Sequence, residues 1–152
     1  MAVSWKMDVG VNHVPAYQVS GRPYASGNID AMNTSGAMVQ FPYVTRWIYV
    51  TNVGPKDCRV GFSRLGVNGA GPTLTGSRNT HEGTANYWFL VKSGSTSPRL
   101  EVKVSEIWLS GSEKVSVMAG LTTIQPVRIS SGSSADPGDG TYPSWSGSVG
   151  VG

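Results

Sequence analysis

Apolar and polar residues alternate along most of this chain with a period of two, and short clusters of Gly, Pro, Asn or Ser interrupt the pattern about every ten residues. No window of 11 residues shows convincing helical periodicity. The spacing predicts strands over 14–20, 36–41, 44–53, 57–65, 85–92, 99–109 and 113–123, with an eighth around 126–130. Val115, Val117, Ala119 and Leu121 form one apolar parity, and Leu100, Val102 and Val104 form another. Ile107 and Leu109 continue the second parity only if a bulge lies near Ser105-Glu106.

Three turns look like hairpin connections. Asn52 to Asp57 contains Gly54-Pro55, which suits a chain reversal. Ser93 to Pro98 and Ser110-Gly111-Ser112 read in the same way, the latter placing Val102 and Val104 across a hairpin from strand 113–123. From Gly66 to Gly83 the chain instead runs GVNGAGPTLTGSRNTHEG, too long and polar for a hairpin loop. Near the middle of an eight-strand series, such a connection is where a double Greek key must cross. The expected fold is therefore all-β: an eight-stranded antiparallel jelly-roll sandwich of two sheets, with extended N- and C-terminal segments. The boundaries follow as an N-terminal extension over 1–13, one jelly-roll domain over 14–129, and a Gly/Ser-rich tail over 130–152.

The stretch FPYVTRWIYVTNVG at 41–54 departs from simple alternation. One parity carries Phe41, Tyr43, Thr45, Trp47, Tyr49, Thr51 and Val53, and the other carries Val44, Ile48 and Val50. Both faces are largely apolar. One serves the protein's own core, and the second needs a cover: a neighbouring subunit, a loop, or the chain's own N-terminal segment.

Composition sharpens this. At 152 residues the chain is long enough to bury about 68–70% of its unfolded surface without staples. Only 14% of residues are charged, against about 25% in typical soluble domains, and Gly reaches 20 residues. Few charges remain to repel another copy. The net charge of +3 is spread thinly. The body to Arg128 holds 12 basic and 7 acidic residues with no basic stripe, which argues against nucleic-acid recognition. Cys58 is the only cysteine, so neither an internal disulfide nor a cysteine-rich zinc site is expected. No apolar run reaches the ~18–20 residues of a membrane span, and the N-terminus lacks a signal-peptide plan, so synthesis in a reducing cellular compartment is the expectation.

Signs of chemistry are sparse. His13 precedes the first expected strand, and His81-Glu82 falls in the long connection without further metal ligands close in sequence. Glu101 and Glu106 have opposite parity and cannot face each other as a glycosidase pair. The glycines from Gly66 to Gly71 lack the Lys-Ser/Thr and helix of a phosphate loop, and no nucleophile elbow occurs. No catalytic residue, metal site or cofactor is expected. Of the five tryptophans, Trp47, Trp88 and Trp108 read as core residues inside strands. Trp5 and Trp145 lie in the terminal segments and, with Tyr142, read as interface anchors. Residues 130–152 hold 7 Ser and 6 Gly, too little apolar surface to offset ordering, so any order there would come from contacts outside the domain.

The runs AYQVSGRPYASG at 16–27, FPYVTRWIYVTN, CRVGFSRLGVNG, NYWFLV and LEVKVSEIWLSGS together resemble single jelly-roll capsid proteins of large icosahedral double-stranded DNA viruses, in particular the small penton proteins of the algal-virus group. The resemblance covers roughly residues 14–126. It implies a structural role: five copies closing a fivefold vertex of a particle whose faces are double jelly-roll trimers, with the protein made in the host cytoplasm and residing in the virion. A minor capsid or cement role is the alternative within that family. Outside it stand a β-sandwich carbohydrate-binding module, which would be a monomer with an exposed aromatic platform, and a trimeric fibre or receptor-binding domain.

Overall fold

A computed structural model of the chain describes residues 21–68 and 88–126. They form two four-stranded antiparallel sheets. The strands are β1 (Arg22–Ile29), β2 (Ala37–Gln40), β3 (Thr45–Asn52), β4 (Cys58–Gly61), β5 (Trp88–Val91), β6 (Ser95–Thr96), β7 (Glu106–Ser110) and β8 (Val115–Leu121). Sheet 1 has the order β1-β8-β3-β6, and sheet 2 the order β2-β7-β4-β5. Among the described residues no helix is long and apolar enough to cross a membrane.

One core fills the space between the sheets. Ile48 and Val50 of β3 and Val115, Val117, Ala119 and Leu121 of β8 face it from sheet 1, and Val60, Ile107 and Leu109 face it from sheet 2. Phe41, just after β2, closes part of it and meets Tyr24 edge-on, with centroids 5.0 Å apart. The period-two parity expected for 113–123 is therefore realised, and on 44–53, where both parities are apolar, it is Val44, Ile48 and Val50 that are buried.

The connections differ from expectation. All three proposed hairpins are crossings between sheets. Asn52–Asp57 leads from sheet 1 to sheet 2, Ser93–Pro98 leads back into β6, and Ser110–Ser112 joins β7 of sheet 2 to β8 of sheet 1. Gly and Pro specify that the chain reverses, but they do not specify which strand it then pairs with. Val102 and Val104 are accordingly not hairpin partners of β8. Only β4 and β5 are both consecutive and paired, and the long connection joins them.

The strand bounds differ too, and β1 (Arg22–Ile29) has no counterpart among the expected strands. The eighth, around 126–130, has no strand at its one described residue, Gln125's neighbour Pro126, and its remainder lies outside the described residues, as does 14–20. β1 begins at Arg22, where its mostly exposed, Gly-containing pattern hides any alternation. Strand 57–65 stops at Gly61, because Ser63 starts a single helical turn, α1 (Arg64–Asn68). The Ser63 hydroxyl accepts from the Gly66 amide at 3.0 Å, a side-chain cap on an otherwise unpaired donor.

The parity switch in 99–109 has a different cause from the bulge proposed at Ser105-Glu106. The segment changes sheet. Leu100 exchanges both backbone hydrogen bonds with Ile48 of sheet 1, and Thr45 N–H donates to the Val104 carbonyl at 2.9 Å. One residue later the Ser105 carbonyl accepts from Phe41 N–H, and Glu106 pairs with Gln40 in sheet 2. Regular strand is confined to Glu106–Ser110. At the crossing Thr45 Oγ1 donates to the Val102 carbonyl at 2.7 Å and accepts from Val104 N–H at 3.1 Å, standing in for a ladder rung.

Candidate functional site

The three strand tryptophans are not core residues. Trp47, Trp88 and Trp108 are half-buried and point away from the core, because Ile48, Phe89, Ile107 and Leu109 occupy the inward parity beside them. A buried strand face must be apolar, but the sequence alone does not say which of two apolar faces is inside. Both sheets thus carry large side chains on their outer surfaces.

On sheet 2 the outer row across the strands reads Met38, Trp108, Gly61, Trp88. Gly61 leaves room between the two indoles. Arg59 lies over the Trp88 ring at 5.1 Å, and Trp108 Nε1–H donates to Glu106 Oε1 at 3.0 Å. Trp88 Nε1 is buried and has no hydrogen-bond partner among the described residues. Met38 is 46% and Leu90 44% exposed. Large apolar side chains thus share this surface with Gln40, Glu106, Arg59 and Ser110.

Sheet 1 is different. Its outer rows read Pro23, Gly120, Trp47; then Ala25, Met118, Tyr49; then Ser116, Thr51, Thr96. Trp47 and Tyr49 meet edge-on, with centroids 5.7 Å apart and ring planes at 64°. Arg99 reaches over Trp47 at 5.5 Å and is held there by a 2.9 Å ion pair with Glu101, whose two partners are substantially exposed. Thr51 and Thr96 share a 3.0 Å hydroxyl–hydroxyl hydrogen bond. A shallow depression of about 450 Å³, open to solvent, lies over Ala25, Ser26, Gly27, Tyr49, Thr51, Thr96, Ser116, Val117 and Met118. None of the described residues lining it is charged. Sequence reading flagged the apolar outward parity of 41–54 but not the hydroxyl row, since Thr and Ser on an exposed strand carry no distinguishing pattern until register sets them side by side.

The other candidate groups do not line the depression. Glu101 is paired with Arg99, and Glu106 with Trp108, on different sheets. Burial pushes the Cys58 thiol up to about 11, with a backbone hydrogen bond from Ser110 working the other way. Among the described residues no three His, Cys, Asp or Glu side chains gather. His13, His81, Glu82, Trp5, Tyr142 and Trp145 lie outside the described residues. Comparison of the chain with protein families, curated proteins and solved structures returned no match.

Proposed function

We propose that this protein is a structural, self-assembling jelly-roll subunit of an icosahedral viral capsid, acting as the penton that closes fivefold vertices. The observation that carries the reading is that both outer faces of the sandwich bear large apolar side chains, where a solitary sandwich ordinarily presents polar ones. The strand orders β1-β8-β3-β6 and β2-β7-β4-β5, with every consecutive connection but one passing between sheets, support a jelly roll built of two Greek keys. Low charge across the chain removes the repulsion that would keep copies apart.

Sheet 2 is the face best suited to protein contact. Met38, Trp88, Trp108 and Leu90 bring together Met and Trp, both enriched at interfaces, on one face. Trp5, Tyr142 and Trp145 serve as further anchors to neighbouring subunits or other capsid proteins. The role is architectural, without catalysis, cofactor, specific nucleic-acid contact or membrane span, and the site of action is the virion.

Sedimentation velocity on the full chain tests the reading. The expected result is a closed oligomer, five copies in the penton case, which Met38→Lys with Leu90→Lys disperses to monomers. A chain that stays monomeric at every concentration, with no copies at the vertices of the native particle by electron microscopy, overturns it.

A further inference from the structure

We infer that the depression on the outer face of sheet 1 is a binding site for neutral carbohydrate, with Tyr49 as the stacking surface and the hydroxyls of Thr51, Thr96 and Ser116 as the polar contacts. The inference does not rest on the contact face proposed above, which lies on sheet 2, although the apolar residues of this face belong to the observation behind the assembly reading.

The lining fits a sugar better than it fits protein. A pyranose presents an apolar C–H face and a rim of hydroxyls, and each hydroxyl both donates and accepts. The depression offers the same two surfaces in complement. Tyr49 and Met118 stand side by side in one row, Met118 49% exposed. In the next row Ser116, Thr51 and Thr96 stand side by side across three strands. Within the 3.0 Å Thr51–Thr96 pair one hydroxyl hydrogen is used, so the other remains available to donate while both oxygens still accept. Such hydroxyls rotate to suit a ligand, as sugar recognition requires. Gly27 keeps the end of this row open. A Cβ there would stand 3.5 Å from Ser116 Oγ, in ordinary contact, so the missing side chain is space rather than a backbone requirement.

Charge decides the ligand class. Among the described residues none that lines it is charged, and Arg99, which reaches over Trp47 on the same face, is neutralised by Glu101. An anionic sugar or a phosphate would find no counter-ion in the depression. Its volume of about 450 Å³ lies within the ~300–1,000 Å³ range of ligand pockets and suits a mono- or disaccharide. Because the site is shallow, affinity for a single sugar should be weak, with a dissociation constant of about 1–10 mM. Repetition of the chain in an assembly would raise the effective strength through multivalency.

The test is an amide-resolved NMR titration of the full chain with methyl glucoside, methyl galactoside and N-acetylglucosamine, with glucuronic acid as the charged control. At least one neutral sugar should shift the signals of Gly27, Tyr49, Thr51, Thr96 and Ser116, and the acid should not exceed it. Thr51→Val and Ser116→Ala should each weaken that binding by about fivefold. Gly27→Val should abolish it by filling the row, with melting temperature and spectral dispersion confirming that the variant is folded. The inference is overturned if no neutral sugar shifts these signals at tens of millimolar, if the acid binds better, or if Gly27→Val binds as well as the parent. Shifts confined to Met38, Trp88 and Trp108 overturn it too, as does a dimer that Thr51→Val dissociates, since a second copy would then be the occupant. Oligomerisation through sheet 2 is read separately by sedimentation, so the two proposals fail independently.

Discussion

Ser112 Oγ donates a 2.7 Å hydrogen bond to Asn52 Oδ1, and both side chains are fully buried. The same oxygen accepts from Gly54 N–H at 3.1 Å, while Asn52 Nδ2 donates to the Lys56 and Val91 carbonyls at 2.7 and 3.0 Å. All four hydrogen-bonding positions of one side chain are used. They join the end of β3 in sheet 1 to β5 in sheet 2 and to two of the crossings, so a single residue fixes the connections that turn chemistry alone left ambiguous. Asn52→Ala would leave several buried groups unsatisfied at once and should destabilise the fold by about 3 kcal/mol, measured by urea unfolding. A change below about 0.5 kcal/mol would show that water replaces the amide.

Thr45 offers a second test of side chain acting as backbone. Thr45→Val keeps the shape and removes the hydroxyl that serves Val102 and Val104, leaving a buried amide without its partner. The expected loss is about 1–3 kcal/mol. Native-state hydrogen exchange should show the Val104 amide among the most accelerated.

Strand β8 separates the two faces in one element. Leu121 is 2% exposed and Met118 49%. Leu121→Ala should cost about 2–5 kcal/mol and Met118→Ala no more than about 0.5 kcal/mol. Similar losses at both positions, in thermal melts of the monomeric chain, would contradict the inward assignment of the Val115–Leu121 parity.

Cys58 makes stability pH-dependent at the alkaline end. Its thiol ionises at about 11 when folded, against an ordinary value of 9.0, because burial disfavours the thiolate. The raised value means that its contribution is complete below pH 9 and is lost between pH 9 and about 11, as the unfolded chain ionises first. Cys58→Ala should show a smaller loss of stability over that interval. A disulfide-exchange reagent at pH 8 should label the native protein only as fast as it opens, and rapid labelling without denaturant would contradict the burial of the side chain.

The parts of the fold legible in the sequence were those where burial is one-sided. Val115 to Leu121 alternate because one side of the strand faces the core, and the period of two records that directly, whereas on β3 both parities are apolar and the burial of Ile48 and Val50 is settled only by the fold. Three kinds of feature left no such record. β1 is exposed along most of its length, and its core contacts, Tyr24 and Ile29, are too few and too far apart to mark Arg22–Ile29 by alternation. The segment from Leu100 to Ser105 changes sheet, and a change of sheet mimics a bulge in the parity. Trp47, Trp88 and Trp108 are apolar on the outside, where hydrophobicity signals a partner or ligand rather than a core. The candidate site combines the last two problems: Tyr49 was visible as part of a doubly apolar strand, but Thr51, Thr96 and Ser116 are 20 or more residues apart in part and meet only through the β3 register.

The broken course of the chain beside β3 bears on how copies of the protein can join. Thr96 pairs with Thr51, and Ser97 then meets Val50 through its own hydroxyl as well as its amide. Pro98 follows, with no N–H to offer, before Leu100 and Val104 take up the pairing again at Ile48 and Thr45. The rim of sheet 1 is therefore occupied by a segment that satisfies β3 in instalments and never presents a straight row of free amides and carbonyls of its own. Such a rim is a poor template for an incoming strand, which disfavours sheet growth past this edge. On the assembly proposed above, copies would then meet at this side of the molecule through the faces of the sandwich, where contacts between side chains select a partner and an angle.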